Sequence, residues 1–216
     1  MSTADPHRGQ EVLRAGVPIG TGRGVVVLLH GRNAGPRNIL ELAAEFDLPE
    51  VTWLAPAAAD HTWYPLSFLA PREHNEPGLT SALGVIARLA DEAAAQGVPP
   101  SRLVIAGFSQ GACLATEFVY RHPGVAGGLI AFSGGLIGAP GTPWTDAVAL
   151  PGLPAFFGCS DVDAHVPWTR VAESAAVFER LGATVDLRQY PGMAHTVNGD
   201  EIAGARALLD NAFGRP

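Results

Sequence analysis

Gly107-Phe108-Ser109-Gln110-Gly111 sits between a short apolar run, Leu103 to Ala106, and a helix-forming run that begins at Ala112. A serine with glycine two residues away on either side, preceded by a strand pattern and followed by a helix pattern, describes a sharp strand-to-helix turn, a nucleophile elbow. The turn strains the serine backbone, and small neighbours let strand and helix approach. The Ser109 hydroxyl is then pushed out at the carboxyl edge of a sheet, in front of the positive end of the following helix. The pattern alone is weak in a chain with 26 glycines. Its context is specific, because acid and histidine candidates follow in the order Ser, Asp, His. A serine that only shapes a turn would leave that order unused.

Working outward, Gly24-Val25-Val26-Val27-Leu28-Leu29 is β-branched and apolar on both faces, as a central strand of a parallel sheet requires. Residues 51–55, 127–132, 153–158 and 183–190 read as further strands, and residues 11–19 give only a poor edge-strand signal. Helical spacing begins at Ile39, Leu42, Ala43 and Phe46 and recurs over 79–96, 168–181 and 199–213. Strands alternating with helices predict an α/β fold: a mostly parallel central sheet with helices on both faces and no large cap. One domain over residues 1–216 is expected, with 1–10 flexible. Two connections exceed a simple turn, 56–78 and 134–152. The first carries Trp63, Tyr64, Phe68 and Leu69, too apolar for disorder, and reads as an ordered substrate or lid loop. The second, with Trp144, is the candidate for an opposite wall. The plainer alternative for both is a loop that covers a sheet edge.

Composition narrows the chemistry. A net charge of -7 argues against nucleic acid or an anionic membrane as partner. The 14 basic residues are all arginine, which excludes a Schiff-base lysine and a P-loop lysine. Two cysteines, Cys113 and Cys159, are too few for a disulfide framework or a tetrathiolate site, and Cys113 is expected to pack as a small apolar residue. Residues 1–10 are polar and show no signal peptide, and no apolar run reaches the ~18 residues of a membrane span. A cytoplasmic protein without cofactor or metal and without membrane insertion is the expectation.

The base candidate is His195, just past the last strand, where doubly wound sheets collect functional groups. His7, His74 and His122 are expected to be solvated, His30 to be a structural hydrogen-bonder, and His61 and His165 to lie near enough to touch substrate. Of the two aspartates in the loop after residue 158, Asp163 is the choice to orient the imidazole, four residues before Pro167, and Asp161 is expected to brace the loop. Oxyanion donors are expected from the backbone N–H of Gln110, next to the nucleophile, and of Arg32, after Gly31. A phosphate cradle at residues 31–35 lacks the required glycine spacing.

These motifs resemble the phospholipase/carboxylesterase family of the α/β-hydrolase superfamily, which includes the acyl-protein thioesterases and small bacterial carboxylesterases. The likeness runs from Gly24 to Leu209. It rests on Leu28-Leu29-His30-Gly31, the Ser109 elbow, Phe132-Ser133-Gly134-Gly135-Leu136, Asp161-Val162-Asp163 with Val166-Pro167, and Gly192-Met193-Ala194-His195. The resemblance implies an acid at Asp163, oxyanion donors at Arg32 and Gln110, and a substrate loop at Trp63-Tyr64 and Glu76-Pro77-Gly78-Leu79. It departs at Arg32, where eukaryotic thioesterases carry a small apolar residue; a side chain there would narrow an acyl channel or bind an acidic group. Gly31, Trp63, Tyr64, Phe68, His165 and Met193 complete the expected substrate contacts. The expected substrate is a small-molecule carboxylic ester of small to medium acyl or aryl type. A thioesterase or lysophospholipase using the same residues, and a hydrolase-like binding module without turnover, are the alternatives. Apolar residues on the two long loops would permit a homodimer.

Overall fold

The computed structural model describes residues 5–145 and 148–214. Seven strands form one sheet: β1 (Val12–Gly16), β2 (Gly24–Leu29), β3 (Val51–Pro56), β4 (Leu103–Phe108), β5 (Gly128–Phe132), β6 (Pro154–Ser160) and β7 (Thr184–Tyr190). Their order is β1-β3-β2-β4-β5-β6-β7, with β1 antiparallel to β3 and every other pair parallel. The central strands are buried on both sides, so alternate residues serve different cores. In β2, Val25, Val27 and Leu29 join one apolar cluster, while Val26 and Leu28 join the other. Helices α2 (Gly78–Ala95), α3 (Gln110–Arg121) and α4 (Trp168–Arg180) cover the first face, and α1 (Pro36–Ala44) and α5 (Gly199–Phe213) the second. None of the described helices is long and apolar enough to cross a membrane.

Edge strand β1 is only half-buried, which explains its faint sequence pattern. Successive connections from β2 leave in opposite directions, to β3 through α1 and then across to β4. The gap between β2 and β4 is therefore a topological switch point, the place where open α/β sheets hold ligands. Parallel register aligns the strand ends there: Leu29 opposite Gly107, Phe108 opposite Phe132, and Ser160 opposite Tyr190.

The long connection 56–78 is ordered, with short 3-10 turns at Ala59–His61 and Arg72–Asn75. Within the amino-terminal segment, His7 departs from the expectation that it is solvated. His7 is buried, its Nε2–H donates to the Trp63 carbonyl at 2.8 Å, and its Nδ1 accepts from the Ala59 N–H at 3.0 Å. Its ring joins the segment to the aromatic loop instead of standing in solvent, and burial holds its pKa below the usual histidine value. The segment 134–152 also departs from expectation. Its first residues lie beside Phe68, whose carbonyl accepts from the Gly138 N–H at 2.8 Å. Trp144 is buried with its ring 5.0 Å from the Arg170 guanidinium, and residues 148–152 border a groove at the opposite end of the sheet with Pro100 and Pro123. A connection from the end of β5 to the start of β6 must traverse the whole sheet, so most of it cannot wall the strand ends.

Candidate active site

The elbow follows directly from β4 and α3. Ser109 has φ 56° and ψ -119°, a left-handed conformation costing a non-glycine residue about 1–3 kcal/mol. Its N–H donates to the Phe132 carbonyl at 2.9 Å, which holds the turn against β5. A Cβ at Gly111 would run into the Leu29 carbonyl, so the helix can approach β2 only through glycine. Ser109 thus stands at the head of a 12-residue helix, at the switch point.

Two neighbouring strand ends complete the constellation. His195 follows β7, and its Nε2 lies 2.9 Å from the Ser109 Oγ. Its Nδ1 lies 2.6 Å from Oδ2 of Asp163, which follows β6. The Asp163 side chain is fully buried, and its Oδ1 accepts the N–H groups of His165 at 2.8 Å and Val166 at 2.9 Å. Burial pushes this carboxyl up, but the hydrogen bonds from His195, Val166 and His165 outweigh it and hold it below the usual carboxylate range. An ionised carboxylate can only accept, so Nδ1 carries the imidazole proton and Nε2 faces Ser109 as an acceptor. Two rings pack against the imidazole, Phe108 at 4.7 Å and 35° and His165 at 4.7 Å and 54°. Asp161 instead accepts the Gly192 N–H at 2.7 Å, bracing the acid loop against the base loop.

Arg32 and Gln110 flank the hydroxyl, and both side chains grip the aromatic loop. The Arg32 guanidinium donates to the carbonyls of Tyr64, Pro65 and Leu66 at 2.9, 3.0 and 2.7 Å. Gln110 accepts the Trp63 N–H at 3.1 Å and donates to the Tyr64 carbonyl at 2.8 Å. Arg32 is thus occupied by backbone oxygens and shapes the mouth by holding its rim.

A cleft of about 160 Å³ beside Ser109 is lined by Arg32, Tyr64, Phe68, Cys113, His165 and Val166 among others. Gly31 borders a second cleft of about 380 Å³, which His195 also lines. Two expected contacts fall elsewhere. Trp63 is fully buried, its indole N–H donating to the His30 carbonyl at 2.9 Å, and it backs the site from beneath because a desolvated N–H needs that partner. Met193 lines neither cleft; its sulfur accepts from the Asn198 amide at 3.0 Å. His30 is the hydrogen-bonder expected, its Nε2 accepting the Ala58 N–H at 3.1 Å and its Nδ1–H donating to the Gly31 carbonyl at 2.7 Å. Both cysteines are buried, and burial pushes each thiol up to about 12, far from a reactive thiolate.

One buried group gave no sequence signal beyond a capping box. Glu201 in α5 is fully buried; Oε2 accepts the Asn198 N–H at 2.9 Å, while Oε1, packed on Gly158, has no hydrogen-bond partner among the described residues. Burial pushes its pKa up to about 7, with the Asp200 and Asp163 charges adding to the rise. The unfolded chain releases this proton near the ordinary glutamate value of about 4.3. Between the two values the folded protein binds more protons, so this group's contribution to stability falls as pH rises and its loss is complete above the folded pKa. Glu201→Gln removes that loss. Its stability relative to the parent is expected to rise by up to about 3 kcal/mol between about pH 4.5 and 7.5, read by urea unfolding.

Comparison with known proteins agrees with this architecture. A family model described as Phospholipase/Carboxylesterase matches residues 16–212. A phospholipase/carboxylesterase from Dyadobacter fermentans DSM 18053 superposes with a TM-score of 0.87 at 38% identity, over 93% of this chain and 96% of that one. The Bacillus cereus carboxylesterase shares the fold at 20% identity, with a TM-score of 0.77 over 95% and 96% of the two chains. A relative from Oryza sativa subsp. japonica, named "Probable carboxylesterase Os04g0669500", is 24% identical over 211 residues, 88% of this chain and 77% of its own length. With the match spanning nearly every strand and helix, the chain belongs to the phospholipase/carboxylesterase family of α/β-hydrolases.

Proposed function

We propose that the chain, a carboxylic ester hydrolase by family, cleaves esters of small to medium acyl or aryl type through an acyl-enzyme on Ser109. The observation that carries this is the unbroken relay from the Ser109 Oγ to His195 at 2.9 Å and on to the buried Asp163 at 2.6 Å. His195 Nε2 takes the hydroxyl proton as Oγ attacks the ester carbonyl, and Asp163 stabilises the imidazolium. The developing oxyanion is received by the N–H groups of Gln110 and Arg32, each such donor being worth about 2.7–4 kcal/mol. The imidazolium then gives its proton to the departing alcohol, and water opens the acyl-enzyme by the same steps in reverse.

A fluorophosphonate probe tests this. Mass spectrometry is expected to find the adduct on Ser109 alone; folded protein that stays unlabelled would overturn the assignment. The same atoms would open a thioester, so matched oxygen and thiol esters of one acid measure the preference.

A further inference from the structure

Two clefts of unequal size meet at the reacting atoms. The smaller, about 160 Å³, lies beside Ser109 and Gln110 and is floored by Tyr64 and Cys113, both buried. The larger, about 380 Å³, includes the His195 imidazole in its wall and is otherwise mainly apolar, with Ile39 and Leu42 from α1, Phe108 from β4 and Val197 before α5. We infer that the small cleft takes the acyl group and the large one an apolar leaving alcohol, so that the substrates are short-chain acids esterified to a bulky aliphatic or aryl alcohol. This assignment rests on the acyl-enzyme reading above.

The direction follows from the proton. When the tetrahedral intermediate collapses, the bond from the carbonyl carbon to the alcohol oxygen breaks and the proton on Nε2 passes to that oxygen. The leaving oxygen must therefore sit within hydrogen-bond reach of Nε2, and the alcohol beyond it fills the cleft that His195 borders. The acyl chain points the other way, past Gln110. Its cleft is near the size of the ~150 Å³ cavity that holds one benzene molecule, which limits the acyl group to about six carbons. Arg32 fixes that limit, because its three hydrogen bonds hold residues 64–66, which supply Tyr64 and Leu66 to the cleft wall. On the alcohol side no comparable strap exists among the described residues: Ile39 and Leu42 present side chains from a helix, and the cleft falls in the size range of ligand pockets.

Benzyl acetate and methyl phenylacetate contain the same atoms with the ring on opposite sides of the ester. After each rate is divided by that for hydroxide hydrolysis, benzyl acetate is expected to show a kcat/KM at least about tenfold higher, the scale on which a hydrophobic pocket discriminates. Lengthening the acid to benzyl octanoate should lose a similar factor. Leu42→Trp, which fills the larger cleft, should lower the ratio of benzyl acetate to ethyl acetate turnover by about tenfold. A ratio for the isomers near one, or reversed, while p-nitrophenyl acetate is still turned over and Ser109 still takes the fluorophosphonate, overturns the subsite assignment and leaves the esterase reading standing. Loss of both turnover and labelling in folded wild-type protein overturns the two together.

Discussion

Ser109→Ala is expected to lower kcat by about 10⁶, the loss found when a triad nucleophile is removed. The size follows from what remains. Alanine leaves the imidazole bonded to Asp163 and the N–H groups of Arg32 and Gln110 in place, but no oxygen stands 2.9 Å from Nε2 to form the acyl-enzyme. Binding and oxyanion stabilisation then support only a residual rate of about 10³–10⁴ over water. The folded state should tolerate the change, since the Ser109 N–H bond to Phe132 belongs to the backbone. Steady-state hydrolysis of p-nitrophenyl acetate is the measurement; a loss below about tenfold would move the nucleophile to another residue.

Asp163→Asn is expected to cost about 10⁴ in kcat, and the reason lies in the carboxylate's second oxygen. Oδ1 already accepts two backbone donors, from His165 and Val166. An asparagine must place its carbonyl oxygen there, because an NH₂ facing two N–H groups would leave all of them unsatisfied. The amide nitrogen is then forced toward His195, where it can only donate, so Nδ1 must become the acceptor. The ring proton moves to Nε2, which points a donor at the Ser109 oxygen in place of a base. Size and shape are nearly unchanged, so the loss should appear in kcat with little change in KM. A variant that keeps more than a tenth of wild-type kcat would contradict the tautomer assignment.

The parallel strands were readable because burial on both faces leaves continuous apolar runs, as in β2 and β4. Ser109, Asp163 and His195 were readable because topology gathers strand ends, and sequence patterns locate strand ends well. The elements that went astray are governed by distant contacts. Trp63 looks like a substrate contact in a loop until His30 and His7 are found bonded to its indole and carbonyl from 33 and 56 residues away. Polar neighbours made His7 read as solvated, although its ring supplies partners for two loop backbone groups. The burial of Glu201 likewise depends on its packing against Gly158, where α5 lies on β6. Local pattern carries none of this information.

The acid and the base enter on β6 and β7, the last two strands of the chain and the outermost on one side of the sheet. A ribosome delivers residues from the amino terminus, so the elbow serine emerges 86 positions ahead of the imidazole that would activate it. An unassisted serine hydroxyl is a feeble attacker. Hydrolysis by the proposed relay therefore requires β7 to have docked, since a chain folded only through β6 would hold the serine without its base.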